Sequence, residues 1–187
     1  MNVNKIHFIT GNLSKFEYAK GIFESEGIDI VQTKIEIHEV QDSDSLVIAR
    51  LKAKHAWDKI KEPLFVHDSC WMIPSLNGFP GPYMRYVNEW FSPEDFISLM
   101  KDKKDRTIIL KSTVVYIDED NLKEFSQESI GRFLEKPYSG YSDNSLDSVV
   151  SFSKSGKSIA EKKAEKSWFA KKDNLVWGEF VKWLKER

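Results

Sequence analysis

The chain has 187 residues and is 41% hydrophobic, which fits a single domain over residues 1–187 with a sizeable core. Its formal net charge of −1 argues against a nucleic acid polymer as partner, because proteins that bind such polymers are usually basic. The sequence has one cysteine, no signal-peptide pattern and no apolar stretch long enough to cross a bilayer, so we expect a cytoplasmic protein with no membrane partner and no intrachain disulfide.

The first part of the sequence predicts strands and helices in alternation. Ile6–Thr10 is a short apolar run that ends at a glycine, and Ser14 with Glu17 has the spacing of a capping box at a helix start. That helix should run to about Glu26. The elements predicted next are a strand at Ile28–Ile37, a helix at Leu46–Lys61 and a strand at Leu64–Val66.

The second half adds a hairpin to this alternation. Ser92-Pro93 is a typical helix start. Thr107–Ile117 is an alternating, β-branched run, and a polar turn separates it from a further strand at Leu122–Leu134, which predicts an antiparallel pair. The remaining predicted elements are a short strand at Val149–Phe152 and helices at Ile159–Lys172 and Leu175–Glu186. The whole pattern predicts an α/β fold in which helices flank a mixed central sheet.

The segment 8-FITGNLSKFE-17 carries a strand directly into a glycine turn and a helix. Free backbone N–H groups at a helix start suit a phosphate, and Lys15 in the first turn adds a full positive charge. The segment lacks the Gly-Lys-Ser/Thr ending of a P-loop. An ordinary strand-to-helix turn with a surface lysine is the alternative interpretation.

Acidic residues fall near two predicted strand ends: Glu36, Glu39 and Asp42 within 36-EIHEVQD-42, and Asp68 after Leu64–Val66. Carboxylate oxygens suit Mg²⁺, and the carboxyl ends of strands are where α/β sheets commonly bind ligands. Asp68 could also accept a proton from water. The alternatives are a solvated acidic edge around Glu39 and a nucleophilic Cys70 beside His67, although a lone cysteine is more often a packing residue.

Lys52 shares a helix face with Ala49 and Ala56, so its side chain could point toward the domain rather than into water. A lysine-rich group nearer the end of the chain is more typical of a solvated helix face. Its members are Lys162, Lys163, Lys166, Lys171 and Lys172.

Several short motifs occur in a particular order over roughly the first two-thirds of the chain. They are Thr10-Gly11-Asn12-x-x-Lys15, Glu39-x-Gln41, Ile48-Ala49-x-x-Lys52-Ala53, Asp68-Ser69, Leu76-Asn77-Gly78-x-Pro80-Gly81-Pro82-Tyr83 and Gly131-Arg132. Each motif is weak alone, but this order resembles the inosine triphosphate pyrophosphatase family, which acts on non-standard purine nucleotides. The Gly/Pro-rich motif is the most specific of them.

The resemblance implies an elongated mixed sheet with two lobes and a cleft, a homodimer, and Mg²⁺-dependent hydrolysis of a nucleoside triphosphate to the monophosphate and pyrophosphate. It implies Asp68, Lys15 and Lys52 as catalytic residues, with Glu39 and Asp68 holding the metal. The substrate-binding residues that it implies are Thr10, Asn12, Ser69, Asp147, Lys166, Lys171 and Lys172. The loop from Asn77 to Tyr86 would help to form the dimer.

The last third of the chain departs from the family. The family's Phe-Gly-Trp/Tyr-Asp-Pro segment, which stacks on the base, is replaced by 144-NSLDS-148, and its Ser-His-Arg is replaced by 170-AKK-172. His67 also stands where the family usually has a glutamate. We therefore expect altered base recognition. Two alternatives are a nucleotide-binding or regulatory protein with little turnover, and a pyrophosphatase for a pyrimidine or modified nucleotide.

Overall fold

The computed structural model describes residues 5–37, 40–166 and 175–187. It contains seven strands, which are β1 (Ile6–Ile9), β2 (Ile30–Thr33), β3 (Leu64–Ile73), β4 (Phe79–Gly81), β5 (Thr107–Ile117), β6 (Leu122–Phe133) and β7 (Val150–Ser151). The helices are α1 (Leu13–Ser25), α2 (Ser45–Ile60), α3 (Met84–Trp90), α4 (Pro93–Leu99), α5 (Ile159–Ala164) and α6 (Leu175–Lys185). No helix in these ranges combines the length and apolar character needed to cross a membrane.

The strands form one mixed sheet in the order β2-β1-β3-β5-β6-β7, with β4 paired to β3. β1 is parallel to both β2 and β3, whereas β3–β4 and β6–β7 are antiparallel pairs. β5 and β6 are neighbours joined by a four-residue turn, and only an antiparallel pair allows so short a connection. The predicted fold class, a mixed sheet flanked by helices, is confirmed.

The chain divides into two compact units. The first contains the described residues of Met1–Ser69, Ser112–Gln127 and Lys172–Arg187, and the second contains Cys70–Lys111 and Glu128–Lys171. The core of the second unit includes residues from β3, α3, α4, β5, β6 and α5, with Phe96 and Phe133 among its largest buried side chains. The prediction of one domain over 1–187 stays a prediction.

The first unit buries both faces of its sheet. On one face, Phe8 and Phe65 pack with α1 and α6. On the other, Ile9 and Val66 pack with the alanine-rich stripe of α2. Successive side chains of a strand point to opposite faces. Each residue of β1 and β3 therefore faces either α1 and α6 or α2.

Two strand boundaries differ from the sequence prediction. β2 covers only Ile30–Thr33, because these are the four residues that pair with β1. β3 extends well beyond Val66, because Trp71, Met72 and Ile73 pair with β4. Asp68 therefore lies inside a strand and not at its end, although its parallel neighbour β1 has already ended at that level.

The two predicted helix starts have different outcomes. The start at Ser92-Pro93 is confirmed, and Ser92 forms a capping box with Asp95 there. The predicted capping box of Ser14 with Glu17 is wrong, because Asn12 caps α1. The prediction that a helix runs from Ile159 to Lys172 is wrong in its length. α5 ends at Ala164, and Lys166 has a left-handed backbone with φ of 56°, which ends a helix.

Arg187 joins α6 to the β5–β6 hairpin within the first unit. Its guanidinium lies 2.6 Å from a carboxylate oxygen of Asp118, donates to the Tyr116 hydroxyl at 2.8 Å, and sits 4.7 Å from the centre of the Trp183 ring. Burial alone would raise the pKa of Asp118, but hydrogen bonds from Asn121, Arg187 and Tyr116 outweigh it and hold that pKa at about 2.

We predict that Arg187→Met lowers the free energy of unfolding by about 1–3 kcal/mol, because the buried partners lose a charged hydrogen-bond donor. The ordinary pKa of Asp118 is 3.8. Since its folded value is lower, the charged carboxylate stabilises the fold above about pH 4, and this contribution is lost as the pH falls toward 2. The stability difference between wild type and variant should therefore narrow over that range in urea denaturation.

Lys185→Met is the matched control, because Lys185 makes an exposed ion pair with Glu26 at 2.9 Å. Such a pair contributes only about 0–1 kcal/mol. Equal losses in the two variants, or a difference that does not depend on pH, would contradict the role of Arg187.

Candidate active site

The strand order places a ligand-binding edge between β1 and β3. From β1 the chain passes through α1 to β2 on one side, and then returns through α2 to β3 on the other side of β1. In open α/β sheets, ligands bind at the carboxyl ends of the strands where the winding reverses in this way. Two segments lie at this edge: Thr10–Asn12, which leaves the sheet after β1, and the part of β3 that follows Val66 and stays in the sheet.

The turn after β1 is held by hydrogen bonds that prepare the start of α1. The Asn12 side chain accepts from the backbone N–H of Lys15 at 3.0 Å, and the Asn12 N–H donates to the Thr10 hydroxyl at 3.1 Å. Gln32 of β2 donates to the Thr10 carbonyl at 3.2 Å. The partial positive charge of a helix start and the Lys15 ammonium together favour an anion at this point.

Asp68 and Lys52 belong to the opposite face of the sheet. Val66 packs against α2, so the alternation of β3 puts Asp68 on the same side. The Asp68 carboxylate accepts from the Ser69 N–H at 2.9 Å, and both residues are half-buried. Lys52 is also half-buried, whereas Lys54 beside it is exposed. The expectation that the Lys52 side chain points toward the domain stays a prediction.

His67 lies on the face of α1 and α6, where its ring is 4.7 Å from the Trp177 ring at an angle of 35°. Both ring nitrogens are buried, and neither has a hydrogen-bond partner in the described part of the chain. Burial lowers the pKa of His67 well below its usual value, and the charge of Lys15 lowers it further. An unpaired buried polar group costs roughly 1–3 kcal/mol, so His67 is unfavourable for folding alone.

Sequence reasoning indicated His67 only indirectly. The residue stands where the family usually has a glutamate, but no local pattern reveals that its ring packs on Trp177. One signal could have indicated this position of His67. It is a polar residue two positions after an aromatic residue of the same strand, Phe65, and so it lies on the same face as Phe65.

The second unit holds Asp147, which is buried and forms an ion pair with Lys163 at 2.6 Å. Burial raises the pKa of Asp147, and Lys163 opposes that shift. Phe152, the aromatic residue that follows β7, packs with Trp71 at 5.9 Å between ring centres and against the core. Lys166 is exposed at the end of α5.

The predicted residues Glu39, Lys171 and Lys172 lie outside the described residues. Within the described ranges, no group of three or more His, Cys, Asp or Glu side chains is arranged to hold a metal. Mg²⁺ commonly binds through one or two carboxylates together with waters and substrate phosphates. The half-buried Asp68 fits such a site, in which the nucleotide brings much of the coordination.

Comparison with known proteins points to one family. Residues 6–171 match the model of the Ham1 family. A dITP/XTP pyrophosphatase of Methanosarcina mazei is 35% identical over 116 residues, which are 62% of this chain and only 63% of that protein. A dITP/XTP pyrophosphatase of Thermococcus kodakarensis is 28% identical over 182 residues, covering 97% of this chain and 98% of that protein.

The fold agrees with a solved structure. A HAM1 protein from Coxiella burnetii matches with a TM-score of 0.80 at 18% identity, covering 98% of this chain and 99% of that one. The family model spans most of the sequence, and the resemblance to inosine triphosphate pyrophosphatases is thereby confirmed. The chain belongs to the Ham1 family.

Proposed function

We propose that this protein is a Mg²⁺-dependent nucleoside triphosphate pyrophosphatase, a hydrolase that converts a non-standard purine nucleotide to its monophosphate and pyrophosphate. The observation that carries the proposal is the pairing of an anion-binding helix start with a half-buried carboxylate in the first unit, where the winding of the sheet reverses. The names of the two archaeal relatives, dITP/XTP pyrophosphatase, support the same reaction class.

In this proposal the triphosphate binds through Thr10, Asn12, Lys15 and Lys52. The N-cap geometry fixes Asn12 and orders the backbone of Lys15 before substrate arrives. Preordered positive groups stabilise negative charge without reorganisation during the reaction. Ser69, which follows the carboxylate residue directly in β3, is a further contact for substrate.

Asp68 is the proposed acceptor of a proton from the attacking water. The water oxygen bonds to the α-phosphorus, the bond from that phosphorus to the bridging oxygen breaks, and pyrophosphate leaves with the electron pair. Asp68 and Glu39 would hold Mg²⁺, which when bound neutralises charge on the phosphoryl oxygens. Lys15 and Lys52 would stabilise the charge that develops on the leaving group.

We predict that Asp68→Asn reduces kcat by about a hundredfold or more, because it removes both the proton acceptor and a metal charge while keeping the side-chain shape. The assay is release of pyrophosphate, measured against orthophosphate, from inosine triphosphate with Mg²⁺. Asp58→Asn is the control, since Asp58 is an exposed residue of α2 and should leave the rate unchanged.

The same assay separates the competing functions. A wild-type protein that binds nucleotides without releasing pyrophosphate would be a binding or regulatory protein. Turnover confined to pyrimidine or modified nucleotides would indicate the third alternative. Full activity of Asp68→Asn would show that another group accepts the proton.

Base recognition in this proposal differs from that of the family. The buried carboxylate of Asp147 is engaged by Lys163, and 144-NSLDS-148 carries no aromatic side chain. Lys171 and Lys172 stand in place of a histidine and an arginine. A lysine ammonium is a flexible point charge, whereas an arginine offers a rigid fork of donors. Lys166 is a further candidate contact to the base.

We predict that kcat/KM for inosine or xanthosine triphosphate exceeds that for ATP or GTP by less than a thousandfold. The physical reason is that lysines bind the purine 6-oxygen less selectively than an arginine does. The absence of an aromatic side chain also removes roughly 1–3 kcal/mol of base stacking, which should raise KM. The measurement is kcat/KM for all four nucleotides. A preference of a thousandfold or more, which needs about 4 kcal/mol, would show that another part of the chain forms the base pocket.

We also propose that the protein is a homodimer formed through the Asn77–Tyr86 loop and α3. Tyr83, Tyr86 and Trp90 are 48%, 44% and 71% exposed, and the last two rings lie 5.8 Å apart. Exposed aromatic side chains in a group are typical anchors of protein interfaces. Phe79 is not such an anchor, because it packs with Phe91 and the core of the second unit.

We predict a dimer mass for the wild type by light scattering at micromolar concentration, and a shift toward monomer for Trp90→Ala, since the variant loses aromatic contact area. Tyr141→Ala is the control, because Tyr141 is 86% exposed outside this group. A monomeric wild type, or equal effects of the two variants, would contradict the proposed interface.

A further inference from the structure

His67 is half-buried, but both of its ring nitrogens are buried, and the proposed reaction has not used them. We propose that His67 binds substrate directly, with its ring N–H donating a hydrogen bond to a phosphate oxygen of the nucleotide at the carboxyl ends of β1 and β3. This inference rests on the proposed function and deepens it, because it adds a neutral donor to a phosphate site otherwise built from lysines and a helix start.

The register of the sheet places His67 beside the proposed phosphate-binding turn. His7 and Phe8 of β1 stand opposite Leu64 and Phe65 of β3. Continuing this register brings Thr10, the first residue after β1, level with His67. Lys15 lies in the first turn of α1, directly after this turn, so the same edge of the sheet carries its positive charge.

The unpaired nitrogens of the His67 ring indicate that a hydrogen-bond partner is missing. Nearly all buried polar side chains in folded proteins are hydrogen-bonded, and exceptions are concentrated at functional sites. In either neutral tautomer, one imidazole nitrogen carries a hydrogen and the other an acceptor lone pair. Both nitrogens of His67 are buried and unpaired within the described residues, whereas its ring face is already engaged by Trp177.

An anion fits this position better than a metal ion. Successive strand residues point to opposite faces, so His67 and Asp68 are not placed to share one metal. The neighbouring Lys15 charge repels a cation and attracts a phosphate. A phosphate oxygen accepts hydrogen bonds from several donors at once, and a bond between a neutral N–H and a charged oxygen is stronger than one between neutral groups.

The test uses inorganic tripolyphosphate, a probe without a base, titrated calorimetrically into metal-free protein. His67→Leu removes both polar atoms at similar volume, and His67→Gln keeps an amide NH₂ as donor and a carbonyl oxygen as acceptor. We expect His67→Leu to weaken tripolyphosphate binding about tenfold, the effect of one good hydrogen bond, and His67→Gln to stay within about threefold of wild type.

Thermal unfolding without ligand supplies a second readout. His67→Leu should unfold at the same temperature as wild type or higher, since it removes unpaired buried atoms. Ser75→Ala is the matched control, because Ser75 in the second unit also has a buried unpaired oxygen among the described residues and lies outside the proposed dimer interface. This control should change stability alone and leave tripolyphosphate affinity intact.

Unchanged tripolyphosphate affinity in His67→Leu would overturn the inference, and so would equal weakening in both His67 variants. A loss of Mn²⁺ or Zn²⁺ binding in His67→Leu, with tripolyphosphate affinity retained, would identify a metal ligand instead. Each of these results is independent of whether the wild type releases pyrophosphate from nucleotides, so failure of this inference and failure of the proposed function are distinguishable.

Discussion

The parallel pairing of β1 with β3 is the constraint on which the candidate site depends. β1 ends at Ile9, whereas β3 continues to Ile73. The residues of β3 beyond Val66 therefore run past the end of their parallel neighbour, at the point where Thr10–Asn12 turn into α1. At this edge β3 still holds its backbone in the sheet, whereas the chain has already left the sheet after β1. Polar side chains of β3 can therefore be exposed to a ligand there.

Aromatic packing decides which face each polar residue of β3 occupies. Phe65 stacks on Phe8 and Phe23 with ring centres 4.5 and 5.4 Å apart, and it meets Trp177 edge-on at 5.9 Å. Since strand side chains alternate, fixing Phe65 in this cluster also fixes His67 on the same face and Asp68 on the other. A register slip of one residue would move His67 and Asp68 to each other's face of the sheet. The packing of the core therefore determines which of the two side chains lies on each face.

Two arginines that stabilise the first unit are paired with acidic or hydroxyl partners. Arg50 and Glu124 form a two-point ion pair at 2.5 and 3.1 Å between α2 and β6, and Arg187 is held by Asp118 and Tyr116. His67 differs from them, because its nitrogens are buried without such partners in the described ranges. The contrast supports a role for His67 in binding, since a residue selected for stability alone would be expected to be paired or apolar.

Sequence pattern alone determined the features that depend on a few neighbouring residues. The bounds of Thr107–Ile117 and the mixed α/β architecture follow from strand and helix periodicity, and the ordered motifs indicated the family. Tertiary structure decided the rest. Asp68 lies within a strand because β4 pairs with the continuation of β3, and the His67 ring packs on Trp177 because α6 covers that face of the sheet. Local periodicity cannot specify these two outcomes, since each depends on a strand or helix from another part of the chain.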